Sequence, residues 1–284
     1  MRLRIIGCTG SMSGPKSAAS SYLLQAIGPG EDGKDRTWNI LFDLGPGSYG
    51  QLWNYIDPAK LDALILSHLH ADHCGDIISM HVFHRWAPRA PKKILPIYGP
   101  VGLEQRIRQI DGDPNADYEP EFDFRELSED NREFQIGPFK ISAHEAWHTV
   151  PTFGFRVEGP SGFPADRLRD VQPLGKPVDG ETAIFAYTGD TDYCESIERM
   201  ALGVDLLLAE AGFLEADGTP ETPICRGVHM TAERTGQLAN NSGVGALIAT
   251  HIQPWTEAGA VWDEVRRNWD GPFATANAGA MFVV

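Results

Sequence analysis

Short apolar runs ending at polar turns recur along the chain, then begin to alternate with longer amphipathic stretches. Runs at Leu3–Cys8, Ser21–Ala26, Asn39–Asp43, Ala63–Ser67 and Leu95–Tyr98 predict strands. So do Phe139–His144, Phe153–Glu158, Ala183–Tyr187, Asp205–Ala209, Ala246–Thr250 and Ala274–Val284. Helices are predicted over Asp76–Trp86, Val101–Ile110, Asp192–Leu202, Ala232–Asn240 and Ala258–Trp269. Thr231 is the expected N-cap of the fourth, and Asn-Asn-Ser-Gly its stop signal. Gly28–Thr37 reads as a hairpin tip, Asp111–Glu121 as an acidic loop, and Gly159–Glu181 as a long loop rich in Gly and Pro. No repeat or low-complexity linker interrupts this order. The expected architecture is α+β: one domain over residues 1–284, with two packed β-sheets flanked by outer helices.

Composition narrows the classes. A chain of 284 residues, 42% hydrophobic, can bury a sizeable core. No apolar run approaches the ~20 residues needed to cross a bilayer, so no membrane association is expected. The opening Met1–Gly10 is too short an apolar stretch for a secretory signal and reads as a first strand. Cys8, Cys74, Cys194 and Cys225 form no framework pattern, which points to free thiols and a cytoplasmic setting. Cys225 and His229 have a spacing that zinc ligands use, but no second cysteine pair supports them. Cys74 is expected to be a small buried residue. The net charge of −15 makes the chain a poor partner for nucleic acid.

The strongest chemical signal is Ser67-His68-Leu69-His70-Ala71-Asp72-His73, directly after an apolar strand. Alternation lets His68 and His70 project together, while Asp72 and His73 on the following turn can serve a second metal. Imidazole and carboxylate suit zinc and similar divalent ions. The plain alternative is a polar loop with chance histidines. Three of the nine histidines plus an aspartate in this one segment argue against it.

This segment resembles the His-x-His-x-Asp-His signature of the metallo-β-lactamase fold superfamily. Further positions match in order. Asp43 stands where the family has an aspartate bracing the metal loop, and His148 where it has a third histidine. Asp190 matches the bridging aspartate and His251 the last histidine. The resemblance implies a metallo-β-lactamase αββα sandwich. It also implies one divalent ion on His68, His70 and His148, a second on Asp72, His73 and His251, and Asp190 between them. Zn2+ is the expected metal, with Mn2+ or Fe2+ as alternatives. His144 is read as a packed or supporting histidine, and His81 and His84 as helix-packing or surface residues.

Within the superfamily, Gly227-Val228-His229-Met230-Thr231, Ala209-Glu210-Ala211 and the Gly7–Ser11 start with Pro15 and Ser20 resemble the ribonuclease Z-like phosphodiesterase branch. Two metals would polarise a phosphoryl group and supply hydroxide near neutral pH. His229 is the candidate acid for the leaving oxygen, oriented by Glu210, and Asp72 is a candidate proton acceptor. The plain alternatives are a helix-capping histidine and a solvated strand-end carboxylate. Thr231 is either a substrate contact or simply an N-cap. Trp255 either stacks a base or is simply packed.

Bacterial ribonuclease Z carries a basic arm between the third histidine and the bridging aspartate. Here that interval is 42 residues, and Gly159–Glu181 sets Arg167, Arg169 and Lys176 against four acidic residues. The chain as a whole looks most like actinobacterial-type cyclic-AMP phosphodiesterases of this fold. The expectation is a cytoplasmic, homodimeric, dinuclear phosphodiesterase for a small anionic, 3′,5′-cyclic nucleotide. The rivals are tRNA 3′-end processing and a metal-binding regulator without turnover.

Overall fold

A computed structural model describes residues 1–168, 170–175, 180–219, 221–224 and 226–284. Arg169, Lys176 and Cys225, used in the sequence reading, lie outside the described residues. The first sheet contains β1 (Arg2–Thr9), β2 (Ala18–Ala19), β3 (Ser21–Pro29), β4 (Asp35–Phe42), β5 (Ala63–Ile65), β6 (Leu95–Pro100) and β7 (Phe122–Leu127). The second contains β8 (Glu133–Ile136), β9 (Phe139–Glu145), β10 (Phe153–Pro160), β11 (Thr182–Tyr187), β12 (Leu206–Glu210), β13 (Leu247–Thr250) and β14 (Phe273–Thr275). The last strand, β15 (Met281–Val283), returns to the first sheet, whose order is β15-β1-β3-β4-β5-β6-β7 with β2 on β1. The second runs β14-β13-β12-β11-β10-β9-β8.

Alternation explains the layering. Ile40 and Phe42 face the second sheet with Leu3, Ile5 and Tyr22, where they meet Phe155, Phe185 and Tyr187. Leu41 points the other way, with Ile6, Leu23 and Leu64. Those residues are covered by α1 (Ser48–Leu52), α3 (Ile77–Trp86) and α4 (Leu103–Asp111). The second sheet repeats this: Leu206 and Leu208 lie between the sheets, while Leu207 and Ala209 lie under α5 (Glu195–Ala201), α6 (Ala232–Ser242) and α7 (Ala258–Val265). Strands covered on both faces read as continuous apolar runs, which is why the sequence revealed them. The layers are helix, sheet, sheet, helix.

Four local expectations are corrected. Ala274–Val284 is two strands in different sheets, because the chain turns through Gly279 at φ +83° between them. β7 and β8 were not foreseen: each is the last strand of its sheet and carries charges that mask its apolar positions. Ser48–Leu52 adds a short helix. Asp72 and His73 sit on another, α2 (Ala71–Cys74), rather than on an open turn. Among the described residues no helix is long and apolar enough to cross a membrane.

Candidate metal centre

The centre is built where strands of both sheets end. β4 delivers Asp43, which is wholly buried and holds φ +57°. A left-handed conformation is costly for a residue with a Cβ, on the order of 1–2 kcal/mol, and Asp is among the residues that tolerate it best. The carboxylate's partners hold it there. It accepts from Ser67 N (2.7 Å), Ser67 Oγ (2.8 Å), Tyr187 O–H (2.6 Å) and His73 Nδ1 (2.7 Å). Asp43 thereby ties the start of the histidine loop to β11 of the other sheet. Gly45 allows the loop to close, since a Cβ there would lie 2.0 Å from Asp72 O.

The first cluster is His68, His70 and His148. His68 Nε2 and His70 Nδ1 are 3.0 Å apart, and His148 Nε2 is 3.2 Å from the same His70 nitrogen. His148 Nδ1 donates to Val228 O, which turns Nε2 inward. Burial lowers the pKa of all three, so they stand as neutral imidazoles, the ligand form.

The second cluster is Asp72, His73, Asp190 and His251. His73 Nε2 lies 3.3 Å from Asp72 Oδ2 and 3.2 Å from Asp190 Oδ1. His251 Nε2 lies 3.4 Å from Asp72 Oδ2 and 3.3 Å from Asp190 Oδ2. Asp190 Oδ2 also reaches to 3.7 Å from His68 Nε2, so its carboxylate stands between the clusters.

These atoms fit divalent ions on two counts. Four donors each about 2.0–2.1 Å from a tetrahedral ion are about 3.4 Å from one another, close to the spacings in both clusters. Secondly, His73 Nε2 and Asp190 Oδ1 are buried without a hydrogen bond. His73 gives its Nδ1 proton to Asp43, so Nε2 faces two carboxylates with a bare lone pair unless a second proton or a cation lies between them.

A third group adjoins the second. Glu210, at the end of β12, is wholly buried, and His229 Nδ1 is 3.1 Å from both its carboxylate oxygens. His229 lies 5.1 Å, ring to ring, from both His148 and His251. Burial opposes a charged His229, but the Glu210 carboxylate outweighs it and its pKa is pushed up to about 9. Burial raises the Glu210 carboxyl as well, against the opposing pull of His229. Glu210 is therefore not a solvated strand-end carboxylate.

Thr231 is buried; its hydroxyl accepts from Arg234 N at 3.2 Å and donates to Glu215 Oε2 at 2.7 Å. The structure gives it the N-cap position of α6. Trp255 is 71% exposed, so it is not packed. His144 bonds Ser142 outside the clusters, and His81 faces Glu121. Cys74 is buried, donating to His70 O.

Asp192 was missed. Wholly buried, it accepts from Gly227 N at 2.9 Å and Arg234 Nη1 at 3.2 Å, and pairs with Arg226. It thus anchors the loop that presents His229. Gly227 holds φ +76°, and a Cβ there would lie 2.6 Å from the Trp147 indole. The signal available was a second acid two residues after Asp190, with no histidine beside it to mark it.

With this geometry in place, comparison with known proteins gives the family. Residues 38–252 match the family model described as a beta-lactamase superfamily domain, so the chain belongs to that superfamily. It is 32% identical over 275 residues to the Mycobacterium tuberculosis uncharacterized protein Rv1339, covering 96% of this chain and 88% of that one. It is 25% identical to the "Probable metallo-hydrolase YhfI" of Bacillus subtilis, covering 98% of both chains. The crystal structure of YhfI superposes with a TM-score of 0.75 over 99% of this chain and 98% of that one, at 23% identity. A ribonuclease Z of Exiguobacterium is 29% identical, covering 89% and 88%. Family and clusters together define a metal-dependent hydrolase of the metallo-β-lactamase fold.

Proposed function

We propose that the protein is a dinuclear metal-dependent phosphodiesterase acting on a small, 3′,5′-cyclic nucleotide. The observation that carries this reading is the Glu210–His229 pair, set beside two clusters that Asp190 joins. A hydrolase needs such an acid where the leaving oxygen is poor, as in an alkyl phosphodiester.

In this reading His68, His70 and His148 hold one ion and Asp72, His73 and His251 the other, with Asp190 shared. Zn2+ is the first candidate, Mn2+ and Fe2+ the alternatives. Divalent ions here supply charge stabilisation for phosphoryl oxygens and a nucleophile from water near neutral pH. Asp72 takes a proton from the attacking water. His229 gives its Nε2 proton to the leaving oxygen, and Glu210 holds the ring's tautomer and angle. Asp43 keeps His73 Nε2 bare. The free thiols Cys8, Cys74 and Cys194 agree with a cytoplasmic enzyme. The homodimer expectation rests on the family resemblance.

A second reading, tRNA 3′-end processing, is favoured by the ribonuclease Z relative. The net charge of −15 speaks against a polyanionic substrate. A metal-binding regulator without turnover would have no use for the His229–Glu210 pair. The deciding experiment incubates metal-loaded protein with cyclic AMP and, separately, with a precursor tRNA. Hydrolysis of the cyclic nucleotide is expected. Cleavage of the tRNA alone would sink the small-nucleotide reading, and no turnover of any phosphodiester would leave the regulator.

A further inference from the structure

A recess opens beside His70 that the chemistry above does not use. Leu69, Pro100, Val101, Arg106, Val150 and Pro151 line a cavity of about 310 Å³, and His70 completes its wall. The loops that frame it also deliver the first histidine cluster. Leu69 precedes His70, and Val150-Pro151 follow His148 by two residues. The third side is the end of β6 and the start of α4, from which Arg106 Nε donates to Leu69 O at 3.0 Å. A group seated in the recess therefore lies beside the cluster, with His70 between them.

The lining decides what that group is. Five of its residues are apolar and do nothing for a phosphate, which belongs at the cluster. They favour a weakly polar organic group taken from water, and a nucleotide base is the part of a nucleotide that meets this description. The volume is at the low end of the ~300–1,000 Å³ of small-molecule sites, enough for one ring system. Arg106 is the one charged wall. Its Nε is spent on Leu69 O and its Nη1 is 3.4 Å from Gln109 Oε1. Its Nη2 makes no hydrogen bond among the described residues, which leaves a donor for a ring acceptor.

We infer that this recess seats the heterocyclic base of a nucleotide whose phosphate lies at the histidine–carboxylate centre, and so selects nucleotides over base-free phosphoesters. The inference rests on the phosphodiesterase reading. Its test is calorimetric binding of adenosine 5′-monophosphate and of ribose 5-phosphate to the metal-loaded protein. The nucleotide is expected to bind at least about tenfold more tightly. Val101 is 66% exposed, so Val101→Trp fills the recess without disturbing the core. It should bring the nucleotide to within about threefold of ribose 5-phosphate and leave the sugar phosphate's affinity in place. Val150→Phe, from the other wall, should do the same. Equal binding of the two ligands to the parent protein, or a preference that survives both substitutions, overturns the recess as a base site. If neither phosphate binds, the phosphoester reading itself falls, and the recess inference with it.

Discussion

His229 Nδ1 lies 3.1 Å from both carboxylate oxygens of Glu210, so the carboxylate holds that nitrogen and leaves Nε2 as the ring's other proton-carrying position. The pair sets a pH limit. The carboxylate holds the His229 pKa at about 9 against the opposing effect of burial. If His229 acts as the acid, activity falls as pH rises through its pKa. Glu210→Gln removes the charge, so His229 loses its proton at lower pH. The alkaline limb of the kcat/KM profile should move down by more than about one pH unit. An unmoved limb would disconnect the pair from the rate.

His229→Ala should retain the metal and lose about 10²- to 10⁴-fold in kcat, because it removes a proton donor and no ligand of either cluster. Metal analysis and steady-state rates on the same preparation check this. Turnover at the parent rate would take His229 out of the mechanism.

Asp43 makes a structural prediction. Asp43→Ala strips partners from His73 Nδ1, Ser67 and the Tyr187 hydroxyl, all buried. A loss of about 3–5 kcal/mol in unfolding free energy is expected, together with roughly 10- to 100-fold weaker metal binding. Denaturant titration and competition with a chelator measure the two. Parent stability in the variant would show that the buried network is not needed.

Removal of the ions is itself a test. Metal analysis should return two divalent ions per chain, and chelation should abolish activity and lower the thermal midpoint, since a ligand bound only by the folded state stabilises it. One ion per chain in active protein would break the dinuclear assignment.

Away from the centre, His84 on α3 is buried with neither ring nitrogen hydrogen-bonded, and burial, with His81 nearby, pushes its pKa down to about 4. The unfolded chain takes up this proton first as pH falls. The neutral ring's contribution is therefore complete above about pH 6.5 and is lost between there and about pH 4. It amounts to about 3 kcal/mol. His84→Phe removes the titration, so the fall in thermal midpoint from pH 7 to pH 5 should be smaller than in the parent. An equal fall in both proteins would refute this.

Much of this was legible in the chain itself. The doubly covered strands announced themselves as apolar runs, and His68, His70, Asp72 and His73 stood too close together to be overlooked. His148, Asp190 and His251 lie singly in the sequence; a family resemblance was needed to join them. The strands hidden at the sheet edges, and the split of the last one, depended on partners that no local pattern names.

Sequence by itself therefore determined two packed sheets with outer helices and the ligand-dense turn from His68 to His73, because side-chain periodicity and a crowded turn are local properties; the αββα class and the ligands His148, Asp190 and His251 came from the family resemblance. Tertiary structure decided what each polar group does. Only there does Asp43 bond to His73 and Asp192 hold the His229 loop. Only there is Thr231 spent on a cap and a recess left beside His70. These are properties of burial and through-space distance, set by how the two sheets and their loops meet.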